Sequence, residues 1–221
     1  MKNIFLIITL LFSSLYGFSQ YELNKDPEAK IILDALAKKT KSYSSLRFKF
    51  DYIVKNKQND YKETHKGYAF LKDTKYKIII PGTEIFSDGI TVWTYMKESN
   101  EITITEPGPD EESIFNPAKL FTIYESGYKY LLIGEEIINK TSYSIIDLFP
   151  EEIDESPYSK IRIKINKSKN EIYAVETYGK SGLNNYLTVI EIKPDVKVTE
   201  KLFAFDKTKY PEDIEIIDMR F

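Results

Sequence analysis

Residues 46–52 have the sequence Leu-Arg-Phe-Lys-Phe-Asp-Tyr, in which apolar or aromatic side chains alternate with charged ones at every position. Successive side chains of a β-strand point to opposite faces of the sheet, so this stretch predicts a strand with one apolar and one wet face. Leu46, Phe48, Phe50 and Tyr52 form the apolar face. The fold is therefore expected to contain a sheet that covers one side of its own core.

Further runs rich in Tyr, Ile, Val and Phe follow, and short polar segments typical of turns separate them. They comprise residues 61–72, 76–80, 84–87, 90–96, 101–105, 128–133, 142–148, 160–165, 171–178 and 186–192. This succession predicts a mainly β (α+β) fold with one meandering antiparallel sheet, which must curl at such a length and have its concave side covered. The 17 Tyr and 13 Phe of the chain indicate an interior built from rings.

Two segments carry helix signals. Asp26-Pro27-Glu28 combines an N-cap, a proline at the first helical position and an acid in the first turn, and an apolar stripe follows over residues 29–39. The stiff acidic loop 107–112 precedes a second helix start at Asn116-Pro117. We expect a long N-terminal helix and a short helical insertion that lies over the sheet.

The first residues predict export. Met1-Lys2-Asn3 precedes an apolar run, residues 4–12, that is too short to span a bilayer and ends at Ser13-Ser14, which disfavours an uncleaved anchor. We expect a signal peptide over residues 1–19, cut after Ser19, and one mature domain over residues 20–221. The chain has no cysteine, so its core must be stable without disulfides. It also lacks the residue on which bacterial lipoproteins are acylated.

The composition of the chain argues against nucleic-acid binding, metal binding and catalysis. The net charge of −3 is spread over interspersed Lys and Glu, so we expect no nucleic-acid partner. With one histidine, His65, and no cysteine, a zinc or iron site is not expected, and neither is another cofactor. No nucleophile elbow accompanies His65, which we expect to be an exposed strand residue. The acids Glu111-Glu112 and 151–155 are more typical of a solvated surface than of a hydrolase, the enzyme alternative. We expect no catalytic residues and a monomeric chain.

What remains is a large set of apolar side chains predicted to point inward. Its members are Leu46, Phe48, Phe50, Tyr52, Phe70, Tyr76, Ile78, Ile80, Phe86, Trp93 and Tyr95. Two interpretations stay open on the residues alone. They form either an ordinary close-packed core or the lining of a cavity for an apolar ligand.

A resemblance bears on this choice. Residues 85–95, Ile-Phe-Ser-Asp-Gly-Ile-Thr-Val-Trp-Thr-Tyr, resemble the Ser-Asp-Gly-x-Thr-(Val/Leu)-Trp-x-Tyr hairpin of the LolA-like family of periplasmic outer-membrane lipoprotein carriers. Gly67–Lys72 is similar to the second strand of that family. Residues 202–206, Tyr210-Pro211 and residues 214–218 are similar to its closing Phe-x-Phe…Pro…Val-x-Asp pattern. The resemblance spans about residues 26–218.

The resemblance implies an incomplete, half-open antiparallel barrel with helices as a lid over an apolar cavity. The lid residues would be Ile32, Leu33, Leu36, Leu120, Phe121 and Tyr124. It also implies a periplasmic chaperone that takes acylated lipoproteins from an inner-membrane transporter to an outer-membrane acceptor. A binding protein for a free lipid on the same fold is the alternative. One departure is Asp73-Thr74, where the family commonly has a lid-locking Arg-Pro pair, and we expect the neighbouring Lys72 and Lys75 to be solvated turn residues.

Overall fold

The computed structural model of the protein describes residues 25–56, 58–107 and 116–220. The helices are α1, Pro27–Lys41, and α2, Pro117–Leu120. The strands are β1 Leu46–Asn56, β2 Tyr61–Lys72, β3 Lys75–Ile80, β4 Thr83–Ser87, β5 Val92–Met96, β6 Glu101–Thr105, β7 Tyr128–Ile138, β8 Thr141–Pro150, β9 Tyr158–Asn166, β10 Glu171–Gly179, β11 Leu183–Pro194 and β12 Glu215–Asp218. The predicted signal peptide and residues 108–112 of the predicted acidic loop lie outside the described residues.

All twelve strands belong to one sheet, in the order β12-β6-β5-β4-β3-β2-β1-β11-β10-β9-β8-β7. The sheet does not close into a barrel, because β12 and β7 are its two edges. The mainly β, open-sheet fold predicted from the sequence is therefore confirmed. The chain crosses from β6 at one side to β7 at the far edge, and β1 pairs with β11 in the middle. Two meanders thus meet at β1, instead of the single meander that short turns predict.

The predicted N-terminal helix is confirmed by its cap. Asp26 Oδ1 accepts hydrogen bonds from the backbone N–H groups of Glu28, at 2.9 Å, and Ala29, at 3.4 Å. Leu33 and Leu36 of α1 are almost completely buried against the sheet. We call the sheet face that α1 covers the inner face, and the opposite one the outer face.

A strand that the sequence pattern missed covers the other end of the sheet. β12 is only four residues long, and it is the one strand of the described chain that pairs in parallel, with β6. The segment before it crosses the outer face of β4–β6, where Phe205 and Tyr210 pack and Ile214 is buried. Phe86 and Ile102 meet Ile214 there in a second, smaller core cluster.

Lys72 and Lys75 were expected to be solvated, but each forms an ion pair. Their ammonium groups contact the two carboxylate oxygens of Glu200, at 2.6 and 2.5 Å. The two hydrogen bonds lower the pKa of Glu200 to about 2. The pairs tie the C-terminal segment to the turn between β2 and β3. Within the described ranges no helix is long and apolar enough to cross a membrane.

Candidate functional site

The inner face carries most of the predicted apolar residues. Leu46, Phe48, Phe50 and Tyr52 of β1 alternate with half-buried residues and are at most 5% exposed. From β3, Tyr76 and Ile78 join the same core cluster and Ile80 packs against its edge. The period of two in residues 46–52 therefore identifies the inward-facing side chains of β1 correctly.

Four residues of the predicted set lie on the outer face instead. The ladder connects Arg47 to Phe70, Phe70 to Lys77, Lys77 to Phe86 and Phe86 to Trp93, so these side chains share one row across the sheet. Tyr95, two residues after Trp93 on β5, lies on the same face. The expectation that Phe70, Phe86, Trp93 and Tyr95 point inward is therefore wrong.

The reason is packing by the C-terminal segment. Aromatic character alone predicts the inner face for these residues, but the segment before β12 gives the outer face a core of its own. Trp93 stacks on Phe86, with ring centroids 5.6 Å apart, and Tyr95 contacts Tyr210 at 4.7 Å. Strand register, counted from β1 through each turn, is the signal that would have assigned the face.

The six lid residues all contact the inner-face core. Leu33, Leu36, Leu120, Phe121 and Tyr124 are buried in the main cluster, and Ile32 packs against it. The Phe121 ring meets Phe48 of β1 edge-on, with centroids 6.4 Å apart. We call α1, α2 and the 3-10 turn Ile123–Glu125 the lid, because together they cover the inner face.

The space under the lid is lined by the main core and opens to one side. The rings of Phe48, Phe50 and Tyr52 are buried in one cluster with side chains of the lid and of both meanders. Space opens at one end, where a cleft of about 300 Å³ lies between the last turn of α1, the start of β1, the end of β2 and the residues after α2. It is lined by Thr40, Lys41, Tyr43, Ser45, Leu46, Leu71, Asp73, Thr74, Phe121 and Thr122.

The cleft has an apolar floor and a polar rim. Leu46, Leu71 and Phe121 form the buried floor. Asp73 and Thr74, the pair that departs from the family pattern, are exposed on the rim. Among the residues of this opening, only Leu46 and Phe121 belong to the cavity and lid residues predicted from the sequence, since no local pattern shows which end of a curled sheet remains uncovered.

The two ends of α1 are held differently. At its N-terminus, the Asp26 N–H donates to the Tyr130 carbonyl at 3.0 Å, and the Leu132 N–H donates to Asp26 Oδ2 at 3.0 Å. The bond from Leu132 is the main reason why the pKa of Asp26 is lowered. These bonds attach the start of the helix to β7, at the edge of the sheet.

Further along, α1 is bound to the rest of the lid by two polar contacts. The Tyr124 hydroxyl donates to Asp34 Oδ1 at 2.9 Å, and Lys41 pairs with Glu125 at 3.1 Å. The pKa of Asp34 is lowered, first by the hydrogen bond from Lys30 and then by the one from Tyr124. Burial raises the pKa of Tyr124, and the bond to Asp34 adds to the effect. Lys41 also lines the cleft, so the second contact lies at the edge of the opening.

His65 differs from expectation, because it is half-buried instead of exposed. Its ring stacks on Tyr52, with centroids 6.3 Å apart, and its Nε2 lies 2.8 Å from Glu63. Among the described residues, no group of three or more His, Asp or Glu side chains is arranged to hold a metal ion.

Comparison with known proteins adds full-length relatives. No protein-family model matches the chain. It is 25% identical to an outer-membrane lipoprotein carrier protein of Francisella philomiragia, over 99% of this chain and 98% of the relative. It is 22% identical to the protein of the same name from Legionella pneumophila strain Paris, over 98% and 99% of the two chains.

A solved structure supports the fold. An uncharacterized conserved protein from Thermus thermophilus superposes with a TM-score of 0.54 at 14% identity, covering 86% of this chain and 99% of that one. The curated relatives match from end to end, and the open sheet under a helix is the architecture that the motifs of residues 67–95 imply. These full-length relatives confirm the resemblance to the LolA-like family of outer-membrane lipoprotein carrier proteins that the sequence motifs carry.

Proposed function

We propose that this protein binds the acyl chains of lipoproteins beneath its lid and carries them through the periplasm from the inner to the outer membrane. The observation that carries the proposal is the cleft at the C-terminal end of α1, whose apolar floor continues into the inner-face core. Both full-length relatives are named outer-membrane lipoprotein carrier proteins, which supports the same cargo here.

The proposal also covers the compartment in which the carrier acts and its partners. The protein would be exported by its N-terminal signal and act as a monomer without catalysis. It would receive cargo from an inner-membrane lipoprotein-releasing transporter and deliver it to an outer-membrane acceptor. The predicted signal over residues 1–19 and the absence of a cysteine for self-acylation support this placement.

The energetics favour a sheltered acyl chain. Each methylene removed from water contributes about 0.8 kcal/mol, so a chain of about 16 carbons gains on the order of 12 kcal/mol. A cleft of about 300 Å³ is at the small end of ligand pockets. A long acyl chain would therefore have to displace α1 from the inner face and replace the contacts of Leu33 and Leu36.

The contacts of α1 indicate how it would move. Its start is attached to β7 through the backbone and the Asp26 carboxylate, whereas its end is held by the exposed Lys41–Glu125 pair. Exposed ion pairs contribute little to stability. We expect the lid to pivot about Asp26 and to open at Lys41, directly above the cleft.

This arrangement would also replace the missing arginine. Asp73-Thr74 stands where the family commonly has Arg-Pro, so that lock cannot operate in this chain. The bond from Tyr124 to Asp34 joins the two parts of the lid in the closed structure. We propose that it is the principal polar lock of the lid.

A binding experiment with matched variants tests the carrier function. A synthetic triacylated lipopeptide is titrated against a fluorescent acyl probe bound to the purified mature protein. Thr122→Trp fills the rim of the cleft, and Thr64→Trp adds the same ring at an exposed site on β2. We expect lipopeptide binding to fall only in Thr122→Trp.

The outcomes separate the two candidate functions. Binding of the lipopeptide in preference to a free fatty acid supports the carrier. Preference for the free fatty acid favours the alternative, a binding protein for free lipids. Equal binding by both tryptophan variants and the unaltered protein would show that the cleft is not the acyl site.

A further inference from the structure

A second opening lies within the sheet, between β10 and β11. The ladder between these strands runs from Ala174–Thr188 to Tyr178–Asn184. Beyond Ala174 the strands face each other without a ladder pair, across a slot of about 390 Å³. The slot is lined by Tyr143, Asn166, Lys169, Glu171, Ile172, Tyr173, Val189, Ile190, Glu191 and Ile192.

Irregularities on both strands coincide with the slot. The register of β10 against β9 shifts between Ile172 and Ala174. The register of β11 against β1 shifts at Ile190, the residue between the partners of Lys49 and Phe50. A bulge bends its strand and ends pairing locally. Because both bulges occur at the same level, the two strands separate there although each keeps its other neighbour.

The slot therefore presents backbone N–H and C=O groups in the interior of a sheet. Backbone N–H and C=O groups within a sheet are normally paired with a neighbouring strand. Here residues 171–173 and 189–192 direct one backbone edge each toward the slot, in the middle of a twelve-stranded sheet. An extended peptide supplies the complementary groups, as in recognition by strand addition.

The side chains around the slot suit a polypeptide better than a lipid. Ile172 and Val189 at its inner end belong to the main core. The outer rim carries charges of both signs, Lys169, Glu171 and Glu191. An acyl chain offers no hydrogen-bonding groups to this charged rim or to the backbone edges, and covering polar groups without partners costs free energy.

A hydrogen bond links the slot to the acyl cleft. The Tyr43 hydroxyl, from the cleft wall, lies 3.3 Å from Glu171 Oε1, which lines the slot. The two openings therefore adjoin at the same end of the sheet. A molecule with fatty chains in the cleft could extend its polypeptide toward the slot.

We infer that the slot between β10 and β11 binds an extended polypeptide segment of the acylated cargo through main-chain hydrogen bonds. The inference rests on the proposed carrier function, because that function supplies the acylated polypeptide. It adds a second contact, which would distinguish a lipoprotein from a free lipid with identical acyl chains.

Site-specific photo-crosslinking tests the inference, since the chain has no cysteine of its own. Ile190→Cys places a maleimide photo-crosslinker at the slot, and Ile137→Cys places it on β7, where the side chain is also exposed. The probes are a triacylated lipopeptide with a peptide tail, the same lipopeptide with alternate tail amides N-methylated, and the triacylated headgroup without a tail.

We expect crosslinks to the tail from position 190 and not from position 137. N-methylation removes main-chain donors and should lower the yield at position 190 about tenfold. Equal yields at the two positions, or yields insensitive to N-methylation, overturn the inference while acyl binding continues. If the tail-less probe does not bind at all, the carrier function itself fails, and this inference fails with it.

Discussion

Replacing Tyr124 by phenylalanine removes the hydroxyl that joins the two parts of the lid and leaves its ring in place. Tyr124 is 5% exposed, and its hydroxyl donates to Asp34 at 2.9 Å. Hydrogen bonds to charged groups contribute about 1.5–3 kcal/mol, and the partly solvated Asp34 retains Lys30, so we expect a loss of about 1 kcal/mol. This loss would increase the open fraction of the lid about fivefold.

Two measurements separate an effect on the lid from general destabilisation. Stopped-flow association of a fluorescent acyl probe reports the open fraction, and the melting temperature reports global stability. A loss of about 1 kcal/mol lowers the melting temperature of a domain this size by about 2–4 °C. The matched control is Tyr210→Phe, which removes a hydroxyl that lies 3.4 Å from Glu84 on the outer face.

We expect both variants to melt earlier and only Tyr124→Phe to bind the probe several-fold faster. Suppose instead that Tyr124→Phe melts earlier but associates at the unaltered rate. The bond to Asp34 would then be a structural contact and not the lock of the lid. Faster binding by both variants would refute the assignment in a different way, because it would place the barrier outside the lid.

Three further predictions concern stability, measured by urea unfolding. Asp147→Asn should lower the free energy of unfolding by about 2–3 kcal/mol, because it breaks a buried ion pair in which Arg162 Nε lies 2.6 Å from the carboxylate. The control is Asp218→Asn, which changes an exposed ion pair and should leave stability unchanged. Burial alone would raise the pKa of Asp147, but hydrogen bonds from Arg162 and Lys160 outweigh burial and lower this pKa. The stabilisation by the ion pair should therefore persist at neutral pH and disappear only as the pH falls below 3.8, the ordinary pKa of the carboxyl group. Gly67→Ala should cost about 1–3 kcal/mol, since the new Cβ would lie 2.6 Å from Phe50 Cζ. Retained acid stability in unaltered protein, or wild-type unfolding of Gly67→Ala, would contradict these assignments.

The sequence predicted elements whose signals are local. Alternation over residues 46–52 identified β1, and the Asp26 cap identified the start of α1, because backbone geometry alone produces both patterns. Long-range pairing left no such mark. β12 is too short to show a period, and its partner β6 lies more than a hundred residues earlier, so neither the strand nor its parallel direction followed from the chain.

The site shows the same division. Seven inward residues on β1 and β3 were identified by alternation, whereas Phe86 and Trp93 were misplaced because turn geometry decides which face an aromatic strand residue joins. The cleft and the slot depend on where neighbouring elements fail to meet. These gaps arise from the bulges at Tyr173 and Ile190 and from the length of α1. No residue type in the sequence predicts the positions of such bulges or gaps.

The position of Trp93 has a practical consequence. It is the only tryptophan of the chain, and it lies on the far side of the sheet from the lid. Its intrinsic emission therefore monitors whether residues 203–214 are docked, while remaining silent to fatty chains arriving beneath α1. Tryptophan fluorescence of the unmodified protein should thus distinguish undocking of residues 203–214 from cargo binding. Calorimetry would report both events as one heat change.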